Sequence, residues 1–286
     1  MNPERIALIT DSTCDLPLSL LAEKEITMVP LSVSWEDAEF LDNVELSTDQ
    51  FYARLAAAED LPTTSAPPVG LFLEAFEKLR SQGFTHVLGL FLTRKFSGTV
   101  QSAQTAAKMI SGLTLEMLDS RSASWGQGLL VLHAHQLIQS GLPFDEITAQ
   151  VQVRCRASLV AFSLGKLDAL QRGGRIGKAS AFLGNAFGIR PILALPGDTG
   201  EIEVAGKVRS SQATIQALLL QAQKHVGLQG LVQGVTVLHG ARPDMAATLL
   251  AAFQNSGDNW KNLSIGRIGA VIGTHVGPDV WGIALC

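Results

Sequence analysis

Phe96-Ser97-Gly98-Thr99 and Gly273-Thr274-His275-Val276-Gly277-Pro278 carry the side chains best suited to act together. Each reads as a polar, glycine-containing turn after an apolar, strand-like run. The first offers a hydroxyl and the free N–H groups of a helix start; the second offers an imidazole. Brought together, they would hold one small anionic group at the mouth of an apolar cavity. That chemistry suits a carboxylate-headed ligand with an apolar tail better than it suits hydrolysis.

Each candidate has a plainer role. Ser97 could simply cap the helix that follows it. It is a poor nucleophile candidate, because Lys95-Phe96 precede it where a G-x-S-x-G elbow needs glycine. Thr63-Thr64-Ser65 lies in a proline-rich stretch where hydroxyls commonly bond to local backbone, and Thr64 joins the site only if it faces the same pocket. Of the 6 histidines, His133 and His135 sit at i, i+2 on a helix and point apart, so they make no metal pair. His86, His225 and His239 have no evident partner. His275 differs because Gly273, Gly277 and Pro278 shape the chain around it.

Leu170 to Lys178 is glycine-rich but fails the phosphate-loop pattern. Arg172 stands where its first glycine belongs, and Ala179 where its magnesium-binding hydroxyl belongs. It reads as a surface turn, from which Arg175, together with Arg209, could offer guanidinium forks to a partner's carboxylate or phosphate. Asp11 and Asp15 follow the first strand, where helix capping is their expected job. No paired-carboxylate constellation and no metal-ligand spacing stands out, so no metal or cofactor is expected.

The elements that must position these residues alternate. Strands are expected at Ile6–Thr10, Ile26–Trp35, Val87–Leu92 and Leu113–Leu118. Helices are expected at Pro17–Lys24, from the Ser47 cap onward, at Val69–Ser81, from Ser97 to Ile110, at Ser122–Gln139 and at Phe144–Arg156. Leu61–Pro68 reads as a loop stiffened by three prolines. This rhythm predicts a doubly wound, mostly parallel sheet. Past Arg156 the rhythm breaks. Strands at Ala157–Leu164, Ile189–Leu193, Glu201–Val208, Leu231–Leu238, Leu263–Gly273 and Val280–Leu285, with helices at Ser211–Val226 and Pro243–Gln254, predict an α+β unit with a mainly antiparallel sheet. The expected fold is thus α/β with two domains, residues 1–156 and 157–286.

Bulk properties exclude several classes. A formal net charge of −4 over 286 residues argues against nucleic acid, which needs a basic face. No polybasic cluster suggests attraction to anionic lipid headgroups, and no apolar run reaches the ~18 residues a membrane span needs. The N-terminal residues lack a signal-peptide pattern. Three cysteines, Cys14, Cys155 and Cys286, without C-x-x-C spacing read as reduced thiols. The expectation is a soluble cytoplasmic protein without stable membrane insertion.

An ordered set of motifs then carries a resemblance. The set is Ile9-Thr10-Asp11-Ser12-Thr13-Cys14-Asp15-Leu16-Pro17, Thr64-Ser65-Ala66-Pro67, Ser97-Gly98-Thr99-Val100-Gln101-Ser102-Ala103 and Leu118-Asp119-Ser120-Arg121-Ser122-Ala123-Ser124. It continues with Gly173-Gly174-Arg175-Ile176, Lys207-Val208-Arg209 and Ile272-Gly273-Thr274-His275-Val276-Gly277-Pro278. Spanning nearly the whole chain, it resembles the DegV family, the fatty-acid-binding proteins that serve bacterial fatty acid kinase. The resemblance implies a long-chain fatty acid buried in a tunnel between two domains. It implies that Thr64, Ser97 with Gly98, and His275 grip the carboxyl group, while Arg175 and Arg209 dock the kinase. That kinase, not this chain, would bind ATP and form the acyl phosphate, leaving this chain without catalytic residues. The rival is a serine hydrolase or acyltransferase using Ser97 and His275, which lacks an elbow and an acidic orienter for the histidine. A dinucleotide site is disfavoured, because no G-x-G-x-x-G follows the first strand.

Overall fold

A computed structural model describes residues 4–35, 38–58, 60–182, 188–229 and 234–286. The first part of the chain supplies strands β1 (Ile6–Asp11), β2 (Thr27–Val29), β3 (Ser32–Trp35), β4 (Ala38–Leu41), β5 (Thr63–Ser65), β6 (His86–Phe91) and β7 (Thr114–Asp119). Its helices are α1 (Leu18–Glu23), α2 (Thr48–Ala57), α3 (Val69–Ser81), α4 (Thr99–Ala107), α5 (Trp125–Gln139) and α6 (Phe144–Arg156). β2-β1-β6-β7 form a parallel sheet in that order. Successive side chains on a strand face opposite ways, and here both faces are covered. Leu8, Leu88 and Leu90 meet Leu130 and Val131 of α5 and Phe144 and Ile147 of α6. Ala7, Ile9, Val87 and Phe91 meet Phe72 and Phe76 of α3 and Val100 of α4. This is the doubly wound layer that the alternating elements predict.

The rest supplies β8 (Leu159–Ser163), β9 (Arg190–Pro196), β10 (Glu203–Val208), β11 (Val235–His239), β12 (Ser264–Arg267) and β13 (Trp281–Leu285), with α7 (Asp168–Arg172), α8 (Ser211–Gln229), α9 (Pro243–Gln254) and α10 (Ala270–Val276). Its strands form one sheet in the order β10-β9-β8-β13-β11-β12, antiparallel except for the β11–β12 pair. One face, with Leu159, Ala161, Ile192, Val237 and Ile283, packs on α8 and α9. The other, with Val160, Phe162, Leu193, Leu195 and Leu238, faces Leu92 and Ala123 at the carboxyl ends of the parallel strands.

Four expectations need correction. Ile26–Trp35 is not one strand: Pro30 cannot donate a ladder hydrogen bond, and β2 and β3 lie in different sheets on either side of it. The Leu61–Pro68 stretch is not all loop, because Thr63–Ser65 pairs antiparallel with β3 in the three-stranded sheet β4-β3-β5. The helix expected from Ser122 begins at Trp125, after Arg121 and Ser124 take positive φ values of 56° and 53°. Most important, Leu263–Gly273 is not a strand throughout. β12 ends at Arg267, and Ala270–Val276 is helix. Of the expected Leu231–Leu238 strand, Val235 onward is strand, and residues 231–233 lie outside the described residues.

The three-stranded sheet, α2 and α10 share a small core of Val33, Trp35, Phe51, Tyr52, Leu55, Ala270 and Val271. α2 starts with a capping box, in which the Ser47 hydroxyl accepts from Gln50 N–H and Gln50 Oε1 accepts from Ser47 N–H at 2.9 Å. Ser47→Ala should therefore lower unfolding free energy by about 1 kcal/mol in urea titrations, without a change in the denaturant slope.

Candidate functional site

The Ser97 turn is fixed from its start. Asp11, wholly buried, accepts from Leu92 N–H at 2.8 Å and from Thr13 N–H at 2.9 Å, so the exit of β6 is tied to the exit of β1. Thr93 Oγ1 donates to Gly200 O at 3.2 Å, which ties the same loop to the second sheet's turn. Ser97 Oγ lies 2.8 Å from Thr99 Oγ1 and accepts from Thr99 N–H at 3.3 Å. It thus satisfies the first N–H of α4, whose N-cap is Gly98, and lines a cavity at once. Gly98 is exposed at the same rim, and a Cβ there would meet nothing within 4 Å. What Gly98 contributes is its backbone, not room.

His275 occupies the last turn of α10, not a turn after a strand. The helix is set close against α2: a Cβ on Gly273 would fall 2.7 Å from Phe51 Cε1 and 2.8 Å from the Tyr52 hydroxyl. On the other side, a Cβ on Gly173 would fall 2.3 Å from His275 Nδ1. Only glycine at these two positions lets the ring sit where it does. Its Nε2 lies 2.8 Å from Thr64 Oγ1 on β5. Burial, helped by the Arg175 charge, lowers the His275 pKa to about 4. At neutral pH the ring is therefore uncharged, with one nitrogen donating and one accepting.

Thr64, Ser97, Gly98, Arg175 and His275 all line one cavity, with Ser65 and Ser124 beside them. The remaining wall is apolar, built from the inner-face residues Val160, Phe162, Leu195 and Leu238 together with Ile268 and Ile272. Water-molecule centres have about 140 Å³ of room in it. All the polar groups belong to the loops and short elements that meet where the two larger sheets face each other. Exposed Ser65 and Gly98 open that end to solvent. Arg209 is not in the cavity; it is exposed after β10. Arg175 is half-buried, donating through Nε to Phe96 O at 3.0 Å and through Nη1 to Gly173 O.

Sequence reasoning missed Ser124. Its hydroxyl donates to Asp15, whose pKa burial raises well above the usual carboxylate range. The unusual signal at Ser124 is conformational, a positive φ outside glycine, and is not visible in residue type. Among the described residues, no group of three or more His, Cys, Asp or Glu could hold a metal ion. Also among them, no helix is long and apolar enough to cross a membrane, and all three cysteines are buried free thiols.

Two facing α/β layers around an apolar cavity with one polar end define the class of protein. Residues 5–286 match the profile of the DegV family, described as "Uncharacterised protein, DegV family". A DegV domain-containing protein of Caldanaerobacter subterraneus subsp. tengcongensis is 33% identical over 98% of each chain. The fold is similar to that of a DegV family protein from Thermus thermophilus described for its fatty acid binding, with TM-score 0.90, 32% identity, and 98% of this chain and 99% of that one covered. It is also similar to a stearic-acid-binding protein from Eubacterium ventriosum, with TM-score 0.90, 26% identity and coverage of 99% and 97%. This chain belongs to the DegV family.

The geometry and electrostatics of the site carry three predictions. The His275 ring signals in NMR should stay flat from about pH 8 to about pH 5.5 and move only near the lowered pKa of about 4. Because the folded state resists this proton, His275 should draw stability down as pH falls from about 6.5 toward 4. Gly173→Ala should displace the ring and cost about 1–3 kcal/mol in thermal or urea unfolding.

Proposed function

We propose that this protein is a cytoplasmic carrier. It binds a long-chain fatty acid in its cavity and presents the carboxylate to a separate kinase for acyl phosphate formation. The observation that carries the reading is the 2.8 Å Thr64–His275 contact, set beside Ser97 at the polar end of an otherwise apolar cavity. Thr64 and Ser97 can each donate a hydroxyl hydrogen to a carboxylate oxygen, with the neutral His275 ring behind Thr64 and the Gly98 backbone at the rim. A tail in the apolar part gains about 0.8 kcal/mol per buried CH₂, so a long chain reaches micromolar affinity or tighter. The fatty acids named for the similar Thermus and Eubacterium proteins support the same ligand class.

The solvent-facing headgroup end supports presentation to a second protein, and exposed Arg209 is the docking residue we assign. The resemblance also gives Arg175 to docking; its inward bonds favour a different role, argued below. Sheet membership supports a domain division at 156/157, since the parallel sheet uses only strands before it and the six-stranded sheet only strands after it.

The hydrolase reading fares worse on geometry. Among the described residues, Ser97 and His275 share no hydrogen bond; each is bonded to a threonine instead. Among the described residues no carboxylate bonds Nδ1, which faces Gly173.

Native mass spectrometry after expression should show one fatty acid per chain. An empty protein that ignores added fatty acid would sink the proposal. Ser97→Ala should weaken fatty acid binding about tenfold while leaving the fold intact, the loss of one hydrogen bond to a charged group. Arg209→Ala should leave binding unchanged and abolish ATP-dependent acyl phosphate formation with the kinase.

A further inference from the structure

Arg175 supplies the one charged side chain among the described residues that line the cavity. The other lining groups are apolar side chains, hydroxyls and the uncharged His275 ring. A carboxylate carried into such a wall loses hydration, and burial alone favours its neutral, protonated form. A guanidinium keeps its charge under all these conditions. Two of its five N–H groups are occupied, by Phe96 O at 3.0 Å and by Gly173 O, so three remain for a ligand. Among the described residues Arg175 pairs with no acid, unlike Lys95 with Glu201 and Lys178 with Glu203, both at 2.6 Å.

The two carbonyls it holds are well placed. Phe96 immediately precedes Ser97, and Gly173 touches His275 Nδ1. One side chain therefore bridges the backbone under the serine to the backbone against the histidine.

From this geometry, and resting on the fatty-acid reading, we infer that Arg175 is the specificity-determining residue of the headgroup site. It selects the ionised acid over an alcohol or ester of the same chain length, and it keeps the Ser97 and His275 segments in register. A fatty alcohol retains the tail and a hydroxyl for Thr64 and Ser97, but gives the guanidinium nothing to pair with. A carboxylate satisfies both. The charged or titratable groups near the ligand are Arg175 and His275 in the wall, and Asp15 behind Ser124. His275 stays neutral across the working range, so a titration seen there belongs to the ligand or to Asp15, and a label on the ligand separates them.

The test uses the full chain loaded with palmitate enriched in ¹³C at the carboxyl carbon, whose chemical shift reports ionisation. From about pH 8 to about pH 5 the wild-type ligand should stay ionised. In Arg175→Gln its midpoint should rise into that window, by a unit or more. At about pH 8 that variant should bind palmitate about tenfold or more weakly, and hexadecanol within about threefold of wild type. Arg175→Lys keeps the charge but not the fork, and should restore the ionised ligand with intermediate affinity. Equal midpoints in wild type and Arg175→Gln would overturn the inference. So would a wild-type ligand already protonated near pH 6, a readout that stands even if Arg175→Gln fails to fold. A wild-type protein that takes up no labelled acid overturns the fatty-acid reading itself, whereas bound acid with an unshifted titration overturns only the role of Arg175.

Discussion

The contact between Thr64 and His275 joins residues 211 positions apart, and the polar end of the cavity depends on it. Thr64 is on a three-residue strand at one edge of a three-stranded sheet, and His275 is on a helix of two turns. Neither element is long enough to be stable alone. Each is held by what surrounds it: β5 by its pairing to β3, and α10 by the core it shares with Phe51, Tyr52 and Leu55. The imidazole contributes only if it is neutral, since a charged ring would face the Arg175 guanidinium across Gly173. Burial and that same arginine keep it neutral. The cation therefore adds to burial in keeping neutral a neighbour it never bonds.

Beneath this end lie three carboxylates in a protein of modest charge. Asp11, Asp15 and Asp42 all have raised pKa values, burial being the largest cause in each, with Asp42 near 7. Asp15 and Asp42 lie at the start of α10, where burial and neighbouring carboxylates raise their pKa values while the Gly269 and Ala270 N–H groups favour the charged form. Their folded-state pKa values exceed the usual value of 3.8, so the stability they contribute is full below that value. It is lost as pH rises, through about 7 for Asp42. The chain retains these costly groups where the first sheet, the small sheet and α10 converge. That is the junction through which the exits of β1 and β6 are locked to the helix bearing His275.

Much of this organisation was legible in residue order. Val69–Ser81, Phe144–Arg156 and Pro243–Gln254 are helices with the bounds that their periodicity and caps predict. Long amphipathic segments carry their own signal, because the buried face recurs every turn. The short elements do not. Ala270-Val271-Ile272 reads as strand from its β-branched residues, and becomes helix because tertiary packing against α2 overrides that weak preference. Thr63–Ser65 has hydroxyls instead of an apolar alternation, so nothing local distinguishes a strand from a loop. Those two elements carry Thr64 and His275. Local pattern could nominate the Ser97 turn and the histidine, but their meeting is a property of the whole fold. Only the ordered set of family motifs pointed to it in advance. The inward turn of Arg175 left no trace at all in the sequence, since a glycine-rich turn with an arginine looks the same whether the guanidinium faces solvent or cavity.

The division of labour between wall and rim suits the proposed carrier, a site for binding and not for reaction. A catalytic serine needs a base within hydrogen-bond reach and an orienter for that base. Here the serine hydroxyl is occupied by Thr99 and the imidazole by Thr64, so neither is free to activate the other. The same hydroxyls are well suited to ground-state recognition of a carboxylate, which accepts hydrogen bonds and offers no electrophilic carbon that a weak nucleophile can attack at neutral pH. In the proposed complex the affinity would reside in the tail, in proportion to the methylenes buried against the inner face of the second sheet. The head would contribute orientation, held by the hydroxyls at the polar end beside the exposed rim at Gly98. On that proposal a partner that carries its own phosphoryl donor would need only to cover that rim, the acid being desolvated along its tail and fixed at its head.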